Sequence, residues 1–537
     1  MSGALCGSCP RQTIRHWWRS LRWLTIVTIV FFGACTLALA VRSPLGHDES
    51  VYALRGRDIL QHGWSTTSGA YWRDYRAPGL PIVIAGTGRV VGVHVTTSRM
   101  VVVVFGAVTI AATWYIVTIV AGRVAGDVAA ALLAVSAGFV YSASTLLADV
   151  PGAAFALLAV AVFAHDVRQG RLKWSLLLVP LLCLAAATSR FGAPFLYAAG
   201  LSTVAFVAAP RIGRERNWAL AGQSLILALS VMFVTALVLF TDLVSLDGDS
   251  PAHANSALVE DNDLTVSNGL TGLWQVITPS SDGLVDLWSP AVGLLFLGGV
   301  LLACARAVSG ERRVEVVALL LAAGTSAGAL VVAIGQIVAN YLVLTLPFWA
   351  ALASLGWEWP ITAVGRRLTT AVQRQTLLFF AVVALGALTL HAGIQVRSTH
   401  QSYVTTFGPI RAASIDAGSA WAPQCGLVTG YGPQVGYYSE CEVVPFVAIP
   451  ELRAPVEFND LDRLLQRRVD ALRSDADEAL RVGVFLVETG KRQPMSEQID
   501  GSNLILPERQ FEYGADGERR RHAWVQELNG CLLGAEC

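Results

Sequence analysis

Directly after the first long apolar run stands Gly46-His47-Asp48-Glu49-Ser50-Val51-Tyr52. Two adjacent carboxylates can serve as a general base, or can be mere solvated charge at a helix end. Their company favours chemistry. Arg55, Arg57, Arg73, Arg76 and Arg89 follow in the same loop, and the planar fork of arginine is well shaped to grip phosphate. Carboxylate beside arginine beside bilayer is what a reaction on an anionic lipid needs: a base for an incoming hydroxyl and cations for a departing phosphate. More polar groups stand at turns between apolar runs, in Asp149-Val150-Pro151, Ser189-Arg190-Phe191 and Asn340-Tyr341. Charge near hydrocarbon is expensive and is usually paired or functional. The plainer readings are that Arg190 snorkels to headgroups and that Tyr52 anchors the interface.

The elements that must position these groups are membrane helices. The 537 residues are 54% apolar and only 15% charged, with mean hydropathy +0.53, against about 25% charged in soluble domains. A span needs roughly 20 apolar residues. Runs near 23–41, 98–121, 127–147, 150–166, 174–189, 192–209, 219–241, 289–306, 315–335, 340–357 and 376–395 predict a polytopic α-helical membrane protein of about eleven spans. The basic N-terminus, 1–22, carries Arg11, Arg15, Arg19 and Arg22 and is expected in the cytoplasm. Alternation then puts the other basic loops inside as well. It leaves the acidic loop 242–288, which has no Lys or Arg, on the outer side. Within the long first outer loop, 42–97, the apolar stretch 79–97 reads as a surface-lying or re-entrant helix, since a full span there would invert every later loop. The expected location is a bacterial plasma membrane. A formal charge of zero argues against nucleic acid as a partner.

After the membrane module, 23–396, the segment 397–537 turns polar and reads as a small extracytoplasmic α/β domain. Residues 425–430, 441–447 and 482–487 look like buried strands of a parallel type, and 457–480 has helical spacing of leucines. Cys425, Cys441, Cys531 and Cys537 fall here, where disulfides are permitted; Cys425–Cys441 and Cys531–Cys537 are plausible pairs, though spacing alone does not fix connectivity. No glycine-rich phosphate loop is present. Cys6 and Cys9 lack the second pair of ligands that a metal site needs.

Asp48-Glu49-x-x-Tyr52 after the first span resembles the signature of GT-C fold glycosyltransferases, in particular the protein O-mannosyltransferase and aminoarabinose transferase-like group. Arg76-x-Pro78 with Pro81, Leu147-Ala148-Asp149-x-Pro151, and Asn340-Tyr341 with Pro347 resemble that group in the same order. The resemblance implies an inverting transfer from a polyprenyl-phosphate sugar to a glycan, lipid or protein acceptor on the outer face. Asp48 maps to the catalytic base, supported by Glu49, and Asp149 to a second acid on the same cavity. Arg76 and Arg190, with Arg73 beside them, would hold the donor phosphate, and Tyr52, Asn340 and Tyr341 would line the cavity. Asn340 departs from the pattern, which commonly has arginine there. Some members bind a divalent cation; no ligand cluster is visible here, so metal dependence stays open. The Ala, Val, Gly and Arg bias suits a GC-rich bacterial genome, which makes mannose or arabinose on decaprenyl phosphate attractive donors. A transporter or flippase of lipid-linked sugars is the rival reading. Such folds show internal repeats and polar sites at the membrane midplane, whereas no repeat is found here and the polar groups gather at one rim.

Overall fold

The computed structural model describes residues 10–41, 43–63, 77–214, 218–240, 270–271, 289–334, 339–368, 370–421, 425–429, 432–445, 481–489 and 521–527. Its helices are α1 (Pro10–Ala40), α2 (His47–His62), α3 (Gly79–Val91), α4 (Val95–Ala121), α5 (Arg123–Ala134), α6 (Ala137–Ser144), α7 (Asp149–Arg168), α8 (Ser175–Ser189), α9 (Ala193–Arg214) and α10 (Trp218–Phe240). After the long loop come α11 (Pro290–Val308), α12 (Arg313–Ile334), α13 (Ala339–Leu342), α14 (Leu346–Arg367) and α15 (Ala371–Trp421). Among the described residues, six helices are long and apolar enough to cross a membrane, and the bent pair α5–α6 counts as a seventh. Shorter apolar segments lie in α1, α3, α8 and α9.

Close helix packing follows from small residues, which let backbones approach where lipid supplies no hydrophobic drive between helices. At the crossing of α11 and α14, a Cβ on Gly356 would strike the backbone of Gly299, and a Cβ on Gly299 would lie 2.8 Å from the Cβ of Ala353. The expected span 127–147 is broken: α5 and α6 meet at 65°. Ser136 explains the break, since its N–H bonds Leu133 O at 3.2 Å in a tight turn while its hydroxyl bonds Leu132 O at 2.9 Å. At the end far from α2, Glu358 of α14 holds Arg306 and Arg312 at 3.3 and 3.2 Å. Arg312 also reaches Ala121 O at 2.9 Å, tying the α4–α5 turn into this cluster.

The last helix differs most from expectation. Instead of stopping near 395, α15 runs for 51 residues, with Pro409 inside it. It continues because its far end has a core to join: Ile410, Ala413 and Ala417 pack with Cys425, Leu427, Val435, Cys441 and Val443. That core belongs to a four-stranded sheet of β1 (Cys425–Thr429), β2 (Glu442–Pro445), β3 (Arg481–Thr489) and β4 (Arg521–Glu527), in the order β2-β1-β3-β4. β1 pairs parallel with β2 and β3, and β4 closes one edge antiparallel to β3. A short helix, α16 (Gly432–Ser439), joins β1 to β2, and a disulfide links Cys425 to Cys441 with Cα atoms 5.0 Å apart. The expected helix over 457–480, and Cys531 and Cys537, lie outside the described residues.

Candidate functional site

The carboxylates of α2 face opposite fates. Both stand in the first turn of the helix, where the exposed N–H groups and the helix dipole favour negative charge. Glu49 turns inward and is 3% exposed. One of its oxygens accepts from Gly46 N–H at 2.9 Å and the other from Leu146 N–H at 2.6 Å. Both also accept from Arg99, which is wholly buried, at 2.8 and 2.7 Å. Burial pushes the Glu49 carboxyl up, but the Arg99 charge and these hydrogen bonds outweigh it and hold the group below its usual range. Arg99 spends its other donors on the carbonyls of Ala40, Ser43 and Pro44 at 2.7–3.0 Å. The pair therefore welds the end of α1, the start of α2, α4 and the turn before α7 into one block. Asp48, one residue earlier, is half-buried, and His47 is exposed.

A second charged pair stands across from α2. Asp149, at the N-terminus of α7, forms an ion pair with Arg190, Nε standing 2.8 Å from a carboxylate oxygen. The guanidinium lies 4.7 Å over the Tyr341 ring. Tyr52 is buried and close enough for its phenol to interact electrostatically with Arg190. Tyr52 stands four residues after Asp48, on one helix face with it. Two glycines make room. A Cβ on Gly152 would sit 2.7 Å from the Arg190 Cβ, and one on Gly79 would sit 2.8 Å from Ser189 Cα.

The structure thus gathers Asp48, Tyr52, Asp149, Arg190 and Tyr341 at one end of the bundle. Glu49 is beside them but turned into the Arg99 weld. Arg73, Arg76 and the Asn340 side chain lie outside the described residues. Among the described residues no group of three His, Cys, Asp or Glu side chains converges to hold a metal. Sequence reasoning missed Arg99; its signal was a lone charge at the head of the apolar run 98–121.

This arrangement sits on a known architecture. The chain aligns with ArnT from Cupriavidus metallidurans bound to undecaprenyl phosphate at a TM-score of 0.56 and 14% identity, over 94% of this chain and 97% of that one. Its fold is that of the GT-C glycosyltransferases. Similarity extends to the oligosaccharyltransferase AglB from Archaeoglobus fulgidus, in complex with an inhibitory peptide and a dolichol-phosphate, with a TM-score of 0.50 and 13% identity over 86% of this chain and 69% of that one. Residues 75–240, a stretch that holds Arg76, Asp149 and Arg190, match the model of the dolichyl-phosphate-mannose-protein mannosyltransferase family. A comparison with curated proteins gives no match.

Proposed function

We propose that the chain is a membrane glycosyltransferase that moves a sugar from a polyprenyl-phosphate donor to an acceptor hydroxyl on the outer face. The observation that carries this reading is the Arg190–Asp149 ion pair with the Tyr341 ring against the guanidinium, at the end of the bundle where α2 carries half-buried Asp48 and buried Tyr52. A half-buried carboxylate and a clamped guanidinium at one membrane rim are the two groups the transfer needs. Asp48 takes the proton of the acceptor hydroxyl, and the acceptor oxygen attacks the anomeric carbon from the face opposite the phosphate. The bond from that carbon to the phosphate oxygen breaks with inversion, and the phosphate leaves held by Arg190. Arg76, three residues before Gly79, and Arg73 are further candidates for the phosphate, and Asp149 keeps Arg190 aimed. Glu49 supports Asp48 through the Arg99 weld.

The donor's prenyl chain has a place to lie. A groove of about 430 Å³ runs between α9 and α12, lined by Phe195, Ser202, Phe206, Leu321, Thr325 and Ala329 among others. α9 begins three residues after Arg190, so the groove leads from the phosphate site along the membrane helices. The structural relatives bind undecaprenyl phosphate and dolichol-phosphate, which agrees with such a donor; mannose and arabinose are the first sugars to try. We place the N-terminus in the cytoplasm and the sheet outside, in a bacterial plasma membrane.

The test is transfer from radiolabelled polyprenyl-phosphate sugars in membranes holding wild type or Asp48→Asn at equal protein level. General-base help is worth about 10²–10⁴-fold, so the variant is expected to lose transfer by that factor. Equal transfer by both would remove Asp48 from the chemistry, and sugar lipid crossing the bilayer without transfer would replace this reading with transport.

A further inference from the structure

The tail grips the helix that carries Asp48 at two separated points. Ahead of α2, the N–H of Leu45, a fully buried residue, donates to Tyr438 Oη of α16 at 2.8 Å. Further along α2, Arg57 donates to the carbonyls of Gly436 and Tyr437 at 3.0 and 3.2 Å, and its guanidinium lies 5.6 Å over the Tyr437 ring. Between these points, Leu54 of α2 would lie 3.6 Å from a Cβ on Gly436, so α16 rests its backbone against the helix. Asp48 stands three residues after the first grip and nine before the second. Two attachments so spaced restrain both tilt and rotation of α2.

α16 is itself well held. Its end is pinned by the Cys425–Cys441 disulfide, Val435 is in the sheet core with Ile410 and Ala413 of α15, and Arg411 of α15 lies 5.7 Å over the Tyr438 ring. The same long helix reaches the α1–α2 turn by another route. His400, buried, bonds Ser43 Oγ at 2.7 Å through Nδ1 and Ser144 Oγ at 3.0 Å through Nε2. Ser43 is also a ligand of Arg99. The tail and the Glu49–Arg99 weld therefore meet on residues 43–45.

We propose that α16 is a positioning element for the reaction: Tyr438 and the carbonyls that hold Arg57 fix the direction in which α2 points Asp48. This rests on the reading of Asp48 as base, but the grip itself does not. Tyr438 touches no reacting atom; it acts by holding the backbone three residues from the carboxylate. Misplacing a catalytic group by about 1 Å can cost on the order of 10²-fold in rate. Donor binding, assigned to Arg190 in the turn between α8 and α9, is left in place.

Two readouts on the full-length protein separate the claims. Hydrogen–deuterium exchange over 45–57 measures the grip, and kcat with donor KM measures its consequence. The variants are Tyr438→Phe, which removes only one hydroxyl, and Cys425→Ser with Cys441→Ser, which frees the end of α16. Both are expected to speed exchange in 45–57 by about tenfold and to lower kcat by about tenfold, with donor KM within twofold of wild type. Unchanged exchange in both would overturn the grip. Faster exchange with unchanged kcat would overturn its role in positioning. Asp48→Asn runs alongside: if it keeps full transfer, the base assignment fails, while the exchange result still decides whether α16 holds α2.

Discussion

Arg99 closes on Glu49 in a two-bond fork, Nη2 to Oε2 at 2.7 Å and Nε to Oε1 at 2.8 Å, with both side chains shut away from solvent. Taking two charges out of water costs several kcal/mol each, so such a pair need not stabilise the fold relative to apolar residues. Removing one partner alone is far worse, because the other stays buried and charged. Glu49→Gln and Arg99→Met are each expected to destabilise the detergent-solubilised protein by about 3–5 kcal/mol, read as lost thermal stability. The double variant should cost less than the sum by about 0.5–3 kcal/mol, since no lone charge remains. It should not recover fully, because Arg99 also satisfies carbonyls of Ala40, Ser43 and Pro44.

The same pair sets an acid limit. Glu49 titrates below the usual range in the folded protein, burial being outweighed by Arg99 and the backbone donors. A depressed carboxyl pKa contributes stability that is fully present above the unfolded value, about 4.3, and is lost as pH falls through the folded one. The stability gap between wild type and Glu49→Gln should therefore be constant from pH 7 to about pH 5 and shrink below about 4.3. Thermal unfolding of both proteins along a pH series measures it; a gap that closes above pH 5 would contradict the assignment.

Sequence and structure agree best where the signal is local. Most of the long apolar runs became helices, but 127–147 is bent between α5 and α6 and 340–357 is interrupted between α13 and α14; β1, β2 and β3 fall where continuous apolar runs stand. Polar residues at turns marked Asp149, Arg190 and Tyr341, because charge beside hydrocarbon is rare enough to notice. The misses share one cause: they depend on contacts distant in the chain. Arg99 reads as a stray charge until Glu49, fifty residues earlier, is set against it. α15 has no stop before 421 because its far end is core to a sheet that the membrane helices cannot announce. His400 and Tyr438 look like ordinary tail residues, and only their bonds to Ser43 and Leu45 give them a place near Asp48. β4, an antiparallel edge strand rich in charge, lacked the apolar run that revealed its neighbours.

Arg190 should not tolerate lysine. Its Nε pairs with Asp149 while the planar guanidinium stacks on Tyr341, and an ammonium is a point charge that cannot do both. Arg190→Lys is expected to raise donor KM and to lower kcat/KM by about 10²-fold, close to the 2.7–4 kcal/mol typical of losing one group that stabilises developing charge. Asp149→Ala should cost less, because the cation survives and only its aim is lost. Steady-state kinetics against a polyprenyl-phosphate sugar gives both values; a Lys variant with wild-type kcat/KM would exclude Arg190 from phosphate binding.

Gly152 offers a test of aim without loss of charge. It stands in the first turn of α7, three residues after Asp149, where a Cβ would sit 2.7 Å from the Arg190 Cβ. Contacts this short do not persist, and the obstacle is the root of the side chain rather than its flexible tip. Gly152→Ala must therefore move the turn after α8, and with it the guanidinium over Tyr341. Alanine is also the better helix former by about 1 kcal/mol, so the clash and the propensity partly cancel in stability. Function has no such compensation. The variant is expected to keep thermal stability within about 1 kcal/mol of wild type while donor KM rises severalfold. Unchanged kinetics would mean that Arg190 can shift without consequence, and Arg73 or Arg76 would then be the candidates for holding the phosphate.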